Sequence, residues 1–422
     1  VWQDFWLSNP ADGPDPADEQ MFMANAQDMV GRIRHHASIG IYCGRNEGYP
    51  PKTLNDNLER LVKNRHPGME YIASSADDGV SGHGPYWALP AKEYFERQTG
   101  QLHSERGMPC VMTYESLQRT LRPEHLWPQN DLWGQHDYTM AGAQKGATFN
   151  TLIAQYGDID SAERFSTLGQ FVNYDGYRGM FESGSADRMG LLLWMSHSCW
   201  PSMTWQCYDY YFEPTAAYFG CKKACEPLHI QFNALTHEVE VVNLGIGDRK
   251  KLTTEVAMYD INGRRLGKIQ KGKVSSVNDS RLSCGVVDTT GVALLRLRLL
   301  DGKRVVSENT YLLDAAALQT APKVDVDFSV EYHGTSAVVT LQAPADAPAY
   351  MLRLNLKDNS GEQILPVIYS DNYFHLLPGE RKTVTISWQS EDQRTPGAQV
   401  ELSGYNTRMQ AQGYALGAPS HR

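Results

Sequence analysis

The hydrophobic pattern changes period once, near Glu226-Pro227, and that change limits what each half of the chain can fold into. Ahead of it, short apolar runs alternate with stretches patterned at helical spacing; behind it, apolar and polar residues alternate one for one between turn residues. In the first part Val1–Leu7 reads as a strand, followed by the breaker-rich loop Asn9–Pro16. Met21, Phe22, Ala26, Met29, Val30 and Ile33 then share one helical face between Glu19 and His36. Ile39–Cys43 is a short apolar strand that breaks at Gly44, and Leu54, Leu58, Leu61 and Val62 mark a second helix stopped by Pro67-Gly68. Met69–Ser74 and Gln101–Glu105 read as strands, with a short helix around Tyr94 and Phe95 between them. Helices are expected near 141–156 and over Ser161–Phe181, and Gly190–Met195 is the last buried strand.

Strands alternating with helices over this length, with polar groups at strand ends, imply an α/β barrel. A doubly wound sheet stays open as an alternative, although no Gly-rich phosphate loop follows any strand. In the second part His237–Val242, Leu252–Met258 and Leu295–Leu299 alternate, with Asn262-Gly263 and Asp301-Gly302 as hairpin turns. A linker around Ala315–Pro322 leads to Val324–Phe328, Ala337–Leu341, Met351–Leu356 and Thr383–Trp388. Each set has the size of an immunoglobulin-like sandwich, and the tail beyond Arg408 is expected to be loosely ordered. The expected fold is therefore multidomain: part of a (β/α)8 TIM barrel over 1–225, then immunoglobulin-like β-sandwiches over 226–318 and 322–410.

A net charge of −10 leaves no basic excess to meet phosphates, which argues against a nucleic-acid partner. The seven cysteines include no C-x-x-C pair, so neither a zinc site nor a redox motif is indicated. No segment has the length and apolarity of a membrane-spanning helix. The sequence opens mid-pattern on Val1-Trp2-Gln3-Asp4 without a methionine, so a natural N-terminus further upstream is expected and the lack of a leader says nothing about compartment.

Two acids stand where a barrel enzyme places its chemistry. Glu47, preceded by Asn46, follows the strand Ile39–Cys43, and Glu105 ends the strand Gln101–Glu105. Strand-end acids are often no more than solvated loop residues. A pair of carboxyl groups about 5–5.5 Å apart is, however, the device of retaining glycoside hydrolysis.

The segments Gly44-Arg45-Asn46-Glu47-Gly48 and His103-Ser104-Glu105-Arg106-Gly107 resemble the acid/base and nucleophile segments of glycoside hydrolase family 2. Trp2–Trp6 is similar to that family's third barrel strand, Arg34–Ile39 to the approach to its fourth, and Leu193–Pro201 to its eighth strand and following loop. Trp205–Tyr211 and Ala224–His229 resemble the barrel exit. Tyr369–Phe374 with Leu377–Arg381 is similar to the final sandwich of the mannosidase and glucosaminidase-like branches.

The resemblance implies a retaining, exo-acting β-glycosidase acting on an oligosaccharide or glycoside, with no metal or cofactor and no membrane partner. It makes Glu47 the general acid/base, Glu105 the nucleophile and Asn46 the partner of the sugar 2-hydroxyl. Trp194 becomes the stacking platform, with Trp200 and Trp205 next to it in rank. Tyr86 would bond the nucleophile, Asp4 would bind sugar hydroxyls, and His136 with Trp133 would reach substrate from a later loop. Arg45 or Arg106 would keep Glu105 charged, or else form surface ion pairs. The exo-glucosaminidase branch carries aspartate where this chain has Glu47, which favours β-mannosidase-like specificity. β-Galactosidase or exo-β-glucosaminidase specificity, or a non-catalytic carbohydrate-binding fragment, are the alternatives. Family members carry a jelly roll, a sandwich and two more barrel strands ahead of this region, so the chain is expected to be N-terminally truncated, with those domains of the same polypeptide as its partners. The family also implies a periplasmic or secreted protein.

Overall fold

The computed structural model describes residues 1–138, 146–187, 189–389 and 397–413; the first residues of the helix expected near 141–156 lie outside them. The chain divides into two units. The first holds residues 1–85, 99–106 and 188–194, and the second the remainder.

The first unit is built on parallel strands. β1 (Trp2–Asp4), β2 (Ile41–Arg45) and β3 (Glu70–Ser74) form one sheet in the order β1-β2-β3, with β2 in the middle. β4 (Val80–Ser81), β5 (Leu102–Arg106) and β6 (Leu191–Leu193) form a second, in the order β4-β5-β6. Parallel neighbours need crossover connections, and the helices Glu19–Ile33 and Lys52–Arg65 supply them within the first sheet. The first helix starts where the Asp18 carboxylate accepts the Met21 N–H at 2.9 Å, with Glu19 favourably placed in its opening turn. Ala26 and Val30 from this helix and Leu54, Leu58 and Val62 from the next bury against Phe5, Leu7 and Tyr42. Each valine or leucine among them, removed from water, contributes about 1.5–3 kcal/mol.

Two expectations are corrected here. β2 begins two residues later than the apolar run suggested and continues through Gly44 to Arg45. Gly44 does not break the strand; a Cβ there would stand 2.4 Å from the Tyr71 hydroxyl and 2.8 Å from the Ala73 carbonyl, so glycine permits a close approach. β6 is not a buried strand: its three residues are partly or fully exposed, and the flanking Met189 and Trp194 are exposed as well.

The second unit carries the helix Ala162–Glu182, against which the helix Ala216–Ala224 packs, and, among the described residues, four antiparallel sheets. β9 (Arg249–Tyr259), β10 (Gln270–Ser276), β12 (Leu294–Asp301) and β13 (Arg304–Leu312) form one sheet in the order β10-β9-β12-β13. It shares a core of Ile230, Val241, Leu252, Leu295, Leu297 and Leu299 with the sheet of β7 (Leu228–Phe232), β8 (Glu238–Asn243) and β11 (Ser280–Val286). Gly302, at φ +62°, turns β12 into β13, as Asp301-Gly302 predicts. The next pair of sheets consists of β14 (Asp327–His333), β15 (Ser336–Gln342), β19 (Arg381–Trp388) and β17 (Val367–Tyr369) on one side. On the other lie β18 (Phe374–Leu376), β16 (Ala349–Lys357), β20 (Gln399–Ser403) and β21 (Gln410–Gly413). β21 pairs with β20, so the tail is ordered through Gly413 rather than loose from Arg408 onward. Among the described residues no helix is long and apolar enough to cross a membrane.

Buried charges in this unit are answered in clusters. Glu182 accepts from His229 Nε2 at 2.9 Å, Asn309 Nδ2 at 2.9 Å and the Tyr311 hydroxyl at 2.8 Å. Asp209, 1% exposed, accepts the N–H groups of Tyr211 and Glu213 at 2.9 and 3.0 Å. Its burial, and then the neighbouring Glu213 carboxylate, push its pKa up to about 7. Because an unfolded aspartate titrates near about 3.9, the native state holds this proton more tightly. The stabilisation is full below that pH and is lost as pH rises through the raised folded value. Asp209→Asn, which keeps an acceptor but cannot ionise, should flatten this loss: urea midpoints measured at pH 5 and pH 8 should differ less in the variant than in the parent.

Candidate active site

The exit of β2 places Glu47 by several independent contacts. Asn46 N–H donates to the Leu7 carbonyl at 3.0 Å, and Glu47 N–H donates to Ser75 Oγ at 2.9 Å. Glu47 adopts φ +44°, the left-handed region that a glutamate occupies only when its surroundings impose it. Its side chain is 15% exposed; Asn9 Nδ2 donates to Oε2 at 2.7 Å, and His83 Nδ1 stands 3.8 Å from Oε1. Asn9 is itself set by a turn in which its side-chain oxygen accepts the Ala11 N–H at 2.9 Å. Gly48 lets the loop pass close to Pro10, whose Cγ would lie 2.7 Å from any Cβ at that position.

Arg45 is buried rather than solvated: Nε donates to the Ser8 carbonyl at 2.8 Å and Nη1 to Asp15 Oδ1 at 2.5 Å. This replaces the surface ion pair that its sequence neighbourhood suggested. It also fixes the segment that carries Asn9.

Glu105 lies within β5, one residue before its end, and is partly buried. The ends of the two sheets meet at Ser75 and Ala76, just beyond β3: Ser104 Oγ donates to the Ser75 carbonyl, and Gly82 N–H donates to that of Ala76 at 2.9 Å. Asp4 ends β1, is exposed, and accepts from Trp2 Nε1 at 2.9 Å. Trp194 follows β6, donates its N–H to the Arg106 carbonyl at 3.0 Å and is 45% exposed. Asp4, Asn46, Glu47, Glu105 and Trp194 thus all stand at or near the C-terminal ends of parallel strands in one unit.

The remaining candidates belong to the second unit. Tyr86 packs on Trp205 with ring centroids 5.2 Å apart and accepts the Trp205 indole N–H on its carbonyl at 3.0 Å. His136 stacks on Trp200 at 5.0 Å and donates from Nδ1 to the Pro201 carbonyl at 2.6 Å. Trp133 is a correction. It is wholly buried among Trp127, Tyr138 and Phe165, its N–H bonded to the His125 carbonyl, and it presents no surface for a sugar. Among the described residues no cluster of three or more histidines, cysteines or acids is arranged to hold a metal ion. Sequence reasoning missed Asn9, Ser75 and His83. Ser75 follows a parallel strand as Glu47 does, so the rule that singled out Glu47 reaches it too; Asn9 and His83 lie in loops with no such signal.

Residues 306–407, from β13 to just short of β21, match the model of the exo-β-D-glucosaminidase Ig-fold domain. A mannosylglycoprotein endo-β-mannosidase from Lilium longiflorum is 24% identical over 96% of this chain and 56% of its own length. An exo-β-D-glucosaminidase from Streptomyces avermitilis is 25% identical over 93% of this chain and 50% of its own. The chain spans about half the length of the curated relatives it matches. Among solved structures, the exo-chitosanase of Amycolatopsis orientalis superposes with a TM-score of 0.84 at 22% identity, covering 94% of this chain and 54% of that one. The β-D-mannosidase of Dictyoglomus thermophilum does so with a TM-score of 0.79 at 20% identity, covering 97% and 53%. At these identities the superpositions speak for a shared multidomain fold.

The backbone at Glu47 gives a direct test of the strain. Glu47→Ala and Glu47→Gly both remove the Asn9 contact, but only glycine relieves the left-handed conformation. Glu47→Gly should therefore be the more stable of the two by about 1 kcal/mol in denaturant unfolding.

Proposed function

We propose, for a chain that belongs to glycoside hydrolase family 2, that it supplies the catalytic carboxylates of a retaining, exo-acting β-glycosidase. In this reading residues 1–225 contribute six parallel strands and their helices to a (β/α)8 barrel, and the sandwiches follow over 226–318 and 322–410. The observation that carries it is Glu47: a largely buried carboxylate at the end of a parallel strand, oriented by Asn9 and held in a costly backbone conformation. Strain of about 1–3 kcal/mol of this kind gathers where function requires a fixed group.

The chemistry runs in two displacements. Glu105 attacks the anomeric carbon while Glu47 protonates the departing oxygen, giving a glycosyl-enzyme and the free aglycone. Glu47, now a carboxylate, takes a proton from water as that water attacks the same carbon; the sugar leaves with its β configuration and both acids regain their starting forms. Asn46 bonds the 2-hydroxyl, and Trp194 offers an exposed ring on which a sugar face can rest. The sugar we favour is mannose, because an acid as long as glutamate stands at position 47. The glucosaminidase reading is second, supported by the family model matched over 306–407 and by the glucosaminidases among the relatives. A panel of nitrophenyl β-glycosides decides between them; no turnover of any by the full natural polypeptide would leave the carbohydrate-binding reading.

The two roles separate by rescue. Glu105→Ala should abolish turnover of every aryl glycoside, with azide restoring some of it as the inverted product. Glu47→Ala should lose about 10²–10⁴-fold on natural glycosides. It should keep glycosylation by substrates with acidic phenol leaving groups, and its azide product should be retained. Exchanged stereochemistry would exchange the roles.

A further inference from the structure

Ser75 has no role in the chemistry just described, yet each of its hydrogen-bonding groups is committed to Glu47 itself or to a residue within two positions of one of the two glutamates. Its N–H donates to the Arg45 carbonyl at 3.0 Å, and its hydroxyl donates to Asn46 Oδ1 at 3.1 Å. The same hydroxyl oxygen accepts the Glu47 N–H at 2.9 Å, and its carbonyl accepts the Ser104 hydroxyl next to Glu105. The residue is 4% exposed, so none of these bonds competes with bulk water. Space for the last contact is kept by Gly82, where a Cβ would lie 2.2 Å from the Ser75 carbonyl oxygen and 2.4 Å from Ser104 Oγ.

We propose that Ser75 is a positioning residue that fixes the amide of Asn46 and the backbone of Glu47 relative to the strand carrying Glu105. The inference rests on the reading of Glu47 as the general acid. Two donors and two acceptors on one small side chain and its peptide tie three consecutive residues of one sheet's end to the adjoining sheet. A serine hydroxyl suits this because it donates and accepts at once. Glu47 lies beyond the last residue of β2, and the Ser75 hydroxyl accepts its N–H. Without it, Asn46 and Glu47 keep their chemistry but lose their shared reference point. A displacement on the order of 1 Å at a reacting group costs up to about 10²-fold in rate.

The test is leaving-group dependence in the full natural polypeptide, because general loss of folded protein lowers all substrates alike. Ser75→Ala should lower kcat/KM for phenyl or alkyl β-glycosides by about 10- to 100-fold, and kcat/KM for dinitrophenyl glycosides by a factor at least about threefold smaller. Ser75→Cys, close in shape but weaker in both bonds, should show the same selectivity with a smaller loss, and it carries the test if the alanine variant does not fold. Equal losses on both substrate types, or none on either, would overturn the proposal while Glu47→Ala remains impaired. If Glu47→Ala itself keeps full activity on natural glycosides, the acid assignment fails and the role of Ser75 falls with it.

Discussion

A guanidinium taken out of water must find its partners inside the protein, and at Arg45 this requirement shapes the whole exit of the central strand. Its carboxylate partner is Asp15 and its carbonyl partner is Ser8, both in a segment that by sequence is only a run of breakers. Satisfying the charge draws that segment against the strand end, and Asn9 arrives beside the Glu47 carboxylate as a result. The peptide carbonyl of the same arginine also receives the Ser75 N–H. One residue therefore holds the loop on one side of Glu47 through its charge and meets the neighbouring strand end on the other through its peptide carbonyl. The left-handed turn at Glu47 persists because both sides are held.

What was legible in the sequence followed periodicity. Helical spacing marked Glu19–Ile33 and Lys52–Arg65, alternation marked β8, β9, β12, β15, β16 and β19, and Asp301-Gly302 marked its hairpin. Glu47 stands out at the end of an apolar run, whereas Glu105 ends a segment with one apolar residue, Gln101–Glu105, and owes its role to the family resemblance of His103–Gly107. β10 and β11 escaped notice because their residues are mostly exposed, so no apolar face alternates along them. Gly44 misled because a glycine that ends a strand and one that admits a neighbour's hydroxyl look the same in sequence. Trp133 misled for a related reason: a tryptophan in a loop-rich stretch gives no sign of whether its ring faces water or three other aromatic rings. The brace at Ser75 was invisible for a different reason. Its partners lie 28 to 30 residues away, and no local pattern reports which hydroxyl meets which amide across such a distance.

The antiparallel sheets of the second unit show the same economy of charge. Arg296, buried on β12, makes a two-point contact with Glu380 at 2.8 and 2.6 Å, and Glu380 belongs to the turn ahead of β19. Arg353 on β16 pairs with Glu115 at 3.0 Å and Glu213 at 2.5 Å, both outside the strands. Forked arginine–carboxylate contacts fix orientation as well as proximity. The stretch Ala315–Pro322, which reads as a linker, thus joins parts that are already clamped to one another on either side of it. A protease that severed it would nick the polypeptide without releasing either piece, and the join would show as two bands only after denaturation.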